Sequence, residues 1–519
     1  MIALLLLVSS PTAAASDLQR EAFYVDASID VDGRLLDWHF VELDPARGEE
    51  LVLAVAPPRG DRELRIHPMR DGRPAPEPRQ VVPMLKDIVA WGVADVRDEP
   101  GRELCLMTSQ GVWSYSLQYG GYKDNARPLV STPLLYDFAD PGSLSHWRYV
   151  LPGGERDRLL VPEPEQIGLW GPGGEDGAYR RVVALERPPR KEAEDTERPS
   201  DGAEVEADGD GFEILLRQSS LFLQDDPRAE AALFSSAYRF PAPALVDLEG
   251  DGHLDLIRKA GDRLFVHRGG PAGPAAEPTR IEAFPDDLVS DDDDVDVDLR
   301  LVDLDGDSDL DVLAEVSVDV DDFENAVQRV LVYENDGRSL LQEKPAQVLR
   351  FEAAFLVVDV ADVDGDGRVD LAVRKLELPS LVGTVTGLEF TFSHLVYLGE
   401  RRGFARKPAL KRVEVYDEDS IVEVAANREL VLDCDGDGIA DLVEIDVDGR
   451  IAVRRLKKES SFFGGTSWEL EESPWKRFDS AGEIGSLTVR DFNGDGLGDI
   501  VSAGEQRLTL FVSARRSRR

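Results

Sequence analysis

The sequence predicts an all-β fold, a β-propeller of four-stranded blades, and three observations point there. First, five nearly identical nine-residue acidic loops recur in the second half of the 519-residue chain: DLEGDGHLD (247–255), DLDGDSDLD (303–311), DVDGDGRVD (362–370), DCDGDGIAD (433–441) and DFNGDGLGD (491–499). Second, their first residues lie 56, 59, 71 and 58 residues apart, and a period of that length marks a solenoid, propeller or array. Third, the loops are flanked by short β-branched runs such as DLI, DVL and DLAV, so they join strands. After each loop come a strand, a turn and a second strand, as in DLVEIDVDGRIAVRRL with its Asp448-Gly449 hairpin turn. Room remains for a fourth strand before the next loop, and four antiparallel strands make a propeller blade.

The remaining segments follow in order. Residues 1–15, an apolar run ending in Ala13-x-Ala15, read as a secretory signal peptide, and the run is too short to span a bilayer. Over 16–186 the acidic loop is absent but its rhythm persists. The stretches 39–55, 92–108 and 147–163 each read strand, polar Gly/Pro turn, strand, and are expected to be degenerate blades without calcium loops. Residues 187–240 open on a charged Pro/Gly-bearing linker and continue into two apolar runs, 214–223 and 231–240. Residues 241–519 hold the five complete repeats. Three degenerate and five complete units predict eight blades, or seven if one N-terminal unit belongs elsewhere. The chain ends one strand short of a full last blade, and YVDASIDV (24–31) is expected to supply that strand and close the ring.

The loops point to calcium, a hard cation that takes six to eight oxygen ligands. Oxygen-bearing side chains stand at positions 1, 3, 5 and 9: Asp247, Glu249, Asp251 and Asp255; Asp303, Asp305, Asp307 and Asp311; Asp362, Asp364, Asp366 and Asp370; Asp433, Asp435, Asp437 and Asp441; Asp491, Asn493, Asp495 and Asp499. Position 7 is expected to contribute only its backbone carbonyl, so its side chain varies freely: His253, Asp309, Arg368, Ile439, Leu497. Glycine at position 4, and at position 6 in all copies but the one with Ser308, permits a sharp bend. An EF-hand also begins D-x-D-x-D-G, but it requires helical flanks and Glu at position 12. Position 12 here is Arg258, Ala314, Val373, Glu444 or Ser502. About five calcium sites are expected.

These loops, their strand flanks and their spacing resemble the FG-GAP/VCBS repeats of bacterial secreted proteins and of the integrin α-chain propeller, over roughly residues 240–519. The segments 330–337 and 395–404 resemble the third strand and turn of that repeat. The Phe-Gly and Gly-Ala-Pro signatures of the integrin form are not evident, so the bacterial type is the closer match. The resemblance implies that each acidic loop is a calcium site joining the innermost strand of a blade to the second. It also implies that ligands bind mainly on the opposite face. The elaborated loops 286–298, 317–327 and 375–390 are expected on that recognition face.

Composition narrows the function. With 59 Lys and Arg against 102 Asp and Glu, the formal net charge is −43. A basic footprint for nucleic acid is absent, and bound calcium would offset about two charges per site. The C-terminal ARRSRR (514–519) is a local basic tail. The two cysteines, Cys105 and Cys434, read as small buried thiols. Six scattered histidines form no HExxH or paired metal motif, and no GxSxG occurs. The expectation is a secreted or periplasmic calcium-stabilised propeller that acts as a binding, adhesion or scaffold module for a protein or glycan. A calcium-dependent carbohydrate-active enzyme of the polysaccharide-lyase kind is the alternative. The sequence does not set the oligomeric state, and no second segment is long enough to span a membrane.

Overall fold

The computed structural model describes residues 22–515 apart from 71, 119–120, 123–125, 135–143, 148–149, 152–155, 165, 174–176, 187–243, 261, 272, 290–294, 305–308, 319–326, 336, 354, 378–388, 418–427, 447, 461–465 and 480–483. The signal-peptide and linker readings, both runs after the linker, and most of the elaborated loops lie outside these residues.

Eight sheets, each built on four antiparallel strands, follow one another as an eight-bladed propeller, and Ser145–His146 adds a short parallel strand to the second. Blade 1 comprises Arg34–Asp44, Gly48–Ala56, Arg62–Arg70 and Gln80–Met84. Blade 2 comprises Ile88–Ala94, Glu103–Thr108, Gly111–Tyr115 and Arg127–Ser131, and blade 3 Val150–Leu151, Arg158–Pro162, Gln166–Pro172 and Tyr179–Glu186. Blade 4 comprises Ala244–Val246, Asp255–Ala260, Arg263–His267 and Arg280–Ala283, and blade 5 Val295–Val302, Asp311–Val318, Val327–Tyr333 and Gln347–Glu352. Blade 6 comprises Phe355–Ala361, Asp370–Glu377, Glu389–Tyr397 and Leu410–Asp417. Blade 7 comprises Arg428–Leu432, Asp441–Ile445, Ile451–Arg454 and Lys476–Phe478, with an extra hairpin, Leu456–Ser460 against Thr466–Leu470, after its third strand. Blade 8 comprises Ser486–Arg490, Asp499–Ala503, Arg507–Arg515 and the N-terminal Ala22–Asp30.

The expected ring closure is observed. Ala22–Asp30 pairs along its full length with Arg507–Arg515, so the two ends of the described chain share one sheet. Tyr24 seals the seam edge-to-face against Trp475 and Phe478, with centroids 6.4 and 5.0 Å apart. The first strands of blades 6, 7 and 8 meet, as do those of blades 1 and 2, which places the first strand of each blade innermost. One boundary differs from the sequence reading. Residues 295–298, the end of the acidic run, belong to the first strand of blade 5. The alternation VDVD suits a half-buried strand, and buried Val297 pairs with Val316.

The core lies between blades. Seven apolar clusters occupy the seams, each joining neighbouring sheets. Alternate residues of one strand serve different seams: Leu442 faces blade 6, whereas Val443 faces blade 8. Each fully buried aliphatic side chain contributes about 1.5–3 kcal/mol, so a sheet sandwiched on both faces is stabilised by its neighbours. Both cysteines are buried free thiols. No α-helix occurs among the described residues, and none of their helices is long and apolar enough to cross a membrane.

Candidate metal centre

Each acidic loop joins the first strand of its blade to the second, at the inner edge of the ring. The carboxylate at position 9 anchors it. Asp255, Asp311, Asp370, Asp441 and Asp499 each open the second strand and are at most 3 % exposed. One oxygen of each accepts the backbone N–H of position 2, from Leu248 at 2.9 Å, Leu304 at 3.1 Å, Val363 at 2.9 Å, Cys434 at 3.0 Å and Phe492 at 2.8 Å. In four blades the other oxygen accepts an N–H from the end of the third strand or just past it. The donors are Gly269 at 2.6 Å, Asn335 at 2.8 Å, Gly399 at 2.6 Å and Ser513 at 2.6 Å. Blade 7 departs from this. Its third strand ends at Arg454 and the chain turns into the extra hairpin. Asp441 Oδ1 is buried and accepts no hydrogen bond among the described residues.

Position 1 shapes the turn. The Asp433 carboxylate accepts N–H groups of Asp435, Gly436 and Gly438 at 3.1, 2.7 and 2.8 Å, and Asp362 accepts those of Asp366 and Gly367 at 3.0 and 2.9 Å. In the loops of blades 4, 6, 7 and 8 the glycines at positions 4 and 6 adopt φ near +70 to +90°, as at Gly436 (+91°) and Gly438 (+88°), where a side chain would be strained.

The loops differ in what they converge. Carboxylate oxygens of Asp362, Asp364 and Asp370 lie within 4.8 Å of one another, and those of Asp433, Asp435 and Asp441 do the same. Thus positions 1, 3 and 9 gather in blades 6 and 7. Position 5 does not join them: Asp366 and Asp437 accept the position-7 N–H of Arg368 and Ile439, each at 2.9 Å. Among the position-7 side chains, Arg368 pairs with Asp366, and Leu497 is buried. In the blade-4 loop Glu249 and Asp251 turn toward Arg268, which is 3.5 Å from Asp251. In the blade-8 loop Asn493 accepts the Asp495 N–H at 2.9 Å and donates to Ser513 O at 2.8 Å. Asp305 and Asp307 of the blade-5 loop lie outside the described residues.

Electrostatics single out blade 7. Burial, then the neighbouring Asp435, pushes the Asp441 carboxyl up to about 8. Burial and Asp435 likewise raise Asp437 to about 6, and burial raises Asp435 itself, as it does Asp370 and Asp499. Basic groups approach both triads at position 3, with Arg455 3.6 Å from Asp435 and Lys458 of the extra hairpin 3.6 Å from Asp364. Neighbouring loops also touch. Ala440 N–H donates to Val363 O at 2.9 Å, and Gly498 N–H to Asp433 O at 2.7 Å. An all-carboxylate donor set with one buried, unsatisfied oxygen fits a hard divalent cation such as calcium.

Blade 2 holds a relative of this loop that the sequence reading passed over. Asp95 and Glu103 stand eight residues apart, as positions 1 and 9 do elsewhere. Glu103 opens the second strand, is fully buried, and its Oε2 accepts the N–H groups of Val96 and Arg97 at 2.9 and 3.0 Å. The signal was available in that spacing.

Residues 433–502 match the family model for the FG-GAP-like repeat, from the first aspartate of the blade-7 loop to the second strand of blade 8. A ring of four-stranded sheets, with the acidic loop recurring between first and second strands, defines the class as a repeat β-propeller. The repeat match over 433–502 and the eight-bladed arrangement together support a propeller of the FG-GAP/VCBS type. No curated protein sequence matches it. Similar solved structures include an Agrocybe aegerita lectin that recognises non-reducing terminal N-acetylglucosamine (14% identity, 84% of this chain and 87% of that one, TM-score 0.35). Others are the V. cholerae biofilm matrix protein Bap1 (9%, 93% and 88%, 0.34) and the WD40 domain of SCAP from fission yeast (9%, 94% and 94%, 0.39).

Proposed function

We infer that this protein is a secreted, calcium-stabilised β-propeller that serves as a binding or adhesion module for a protein or glycan. The observation that carries the metal part is the blade-7 loop. Three aspartates converge there, and one buried Asp441 oxygen lacks the amide donor that its four counterparts have. Asp433, Asp435 and Asp441 would hold the ion in blade 7, and Asp362, Asp364 and Asp370 in blade 6. Calcium supplies the positive charge that lets these carboxylates ionise together in a buried place. The chain's own backbone amides, donated to positions 1 and 9, hold the oxygens in place beforehand. In this reading the metal face is structural. Recognition falls to the loops between second and third strands and between blades, including 317–327 and 375–390.

The test is thermal melting of the purified full chain in calcium and in EDTA. A site held a hundredfold above its Kd adds about 2.7 kcal/mol, so a clear downward shift in EDTA is expected; an unchanged midpoint would sink the reading. Mass spectrometry of the same exported sample should find a chain beginning at Ser16, and a retained leader would remove the secretory part.

A further inference from the structure

One turn of this acidic molecule carries the opposite charge. Between the third and fourth strands of blade 6, residues 398–409 read LGERRGFARKPA, four bases against one acid, and Lys411 follows on the fourth strand. The corresponding turns of blades 4 and 5, 268–279 and 334–346, hold one and two bases. The turn stands on the face of the acidic loops, because Gly399 N–H donates to Asp370 of the blade-6 loop. It is rigidly held. Phe404 is buried in the seam between blades 5 and 6, and the Gln347 side-chain amide bonds both its N–H and its carbonyl at 2.7 Å. Glu400 N–H donates to Gly403 O at 2.9 Å, and Ala405 N–H to Leu398 O at 2.8 Å.

The bases project from this frame. Arg401, Arg402, Arg406, Lys407 and Lys411 are exposed. Arg402 reaches Glu334 at 3.7 Å. The other four have no ion-pair partner among the described residues, although the chain offers 102 acids. Unpaired cations gathered on one fixed turn make a local positive patch in an acidic protein.

We propose that this turn is a docking site for an anionic polysaccharide, whose sulfate or carboxylate groups pair with Arg401, Arg406 and Lys407. It rests on the binding-module reading, and it adds to that reading a ligand class and a second recognition surface, on the face of the acidic loops. Guanidinium forks match both oxyanions bidentately. Nucleic acid fits less well, because the turn's one aromatic, Phe404, is buried and offers no stacking platform. A protein partner is served best by an aromatic or arginine anchor seated in a desolvated pocket, and these bases stand exposed. The nearby exposed Val413 and Val415 do not mark an apolar anchor, since other outer strands expose Val81, Val182, Ile281 and Val348 in the same way.

Fluorescence anisotropy in calcium tests this on the full chain. The probes are a labelled heparin-derived dodecasaccharide, a polygalacturonate dodecamer and a single-stranded DNA dodecamer. At least one glycan should bind, with affinity that falls as salt rises, and the two glycans distinguish sulfate from carboxylate. The triple variant Arg401→Gln/Arg406→Gln/Lys407→Gln should weaken that binding about tenfold or more at an unchanged melting temperature. Should the triple melt early, Arg406→Gln and Lys407→Gln alone should each give a partial loss. The proposal is overturned if neither glycan binds, if the triple variant binds as wild type, or if deleting 516–519 causes the loss instead. It is also overturned if the DNA binds as tightly and is lost in the same variant. None of these failures alters the calcium-dependent melting, and an unchanged melting point in EDTA would leave this binding as it is.

Discussion

The loops of blade 2 and blade 7 share one frame and differ in what neutralises it. In both, the acid at position 9 is buried and bonds the backbone N–H of position 2, and in both its second oxygen is buried without a hydrogen-bond donor among the described residues. Around the blade-2 loop the acids meet arginines. Arg156 pairs with Asp95 at 3.2 Å and Asp98 at 2.6 Å, and Arg127 pairs with Glu99 at 2.7 Å. Arg97 occupies position 3, where the other loops carry an oxygen. Its buried guanidinium donates to Ser114 Oγ, Gly177 O and Pro128 O at 3.0, 2.9 and 2.9 Å; burial, then Arg127, holds its pKa below the usual arginine range, while Glu103 and Glu99 work the other way. Around the blade-7 loop four aspartates face a single arginine, Arg455 at 3.6 Å. The carboxylate clasp therefore belongs to the fold, and the positive charge is a separable part. Blade 2 carries arginines around its acids; in the proposed calcium reading, blade 7 would take its positive charge from solution.

The largest effect should come from breaking the built-in charge. Arg97→Ala strips three acceptors, Ser114 Oγ, Gly177 O and Pro128 O, of their donor. Each polar group left unsatisfied in a buried place costs about 1–3 kcal/mol. Chemical denaturation should show that loss equally in calcium and in EDTA, and a loss that calcium offsets would place a metal in blade 2. Next comes Asp441→Asn, which preserves shape and removes the charge. In calcium it should forfeit about 2.7 kcal/mol for a site held a hundredfold above its Kd, whereas in EDTA it should be neutral or mildly stabilising because it relieves repulsion with Asp435. Equal calcium-linked stabilisation in this variant and in wild type would remove blade 7 from the list of sites.

Much of this was readable in the sequence, and the unread part has a physical reason. The loop positions, the blade count and the closing strand followed from a motif repeated in one register. The donors to the second oxygen of position 9 did not, because Gly269, Asn335, Gly399 and Ser513 lie 14, 24, 29 and 14 residues beyond their aspartates and share no side chain. The stretch RIAVRRL reads as one continuous strand, yet the ladder breaks at Arg455 and the hairpin begins. That break is what leaves Asp441 Oδ1 unsatisfied. Blade 2 went unread because an Asp and a Glu eight residues apart are unremarkable among 102 acids, and Arg97 reverses the sign expected at position 3.

The smallest effect is a pH slope that separates the two loops. Burial pushes Glu103 up to about 7, and burial with Asp435 pushes Asp441 up to about 8. In an unfolded chain these groups titrate near 4.3 and 3.9. A folded value above the unfolded one means that the fold keeps a proton the unfolded chain has released. The resulting stability is complete below about pH 4 and is lost as pH rises toward the folded value. In EDTA both acids should therefore lower stability between about pH 4 and 8, each by at most about 1.4 kcal/mol per pH unit. If calcium binds as proposed, it would replace the proton on Asp441 and have no such role at Glu103, so saturating calcium should remove one part of the slope and leave the other. Glu103→Gln should flatten the calcium-insensitive part, and Asp441→Asn the calcium-sensitive part. Melting across this pH range in both conditions decides it: a wild-type slope identical with and without calcium would mean that the two loops do not differ in the source of their positive charge.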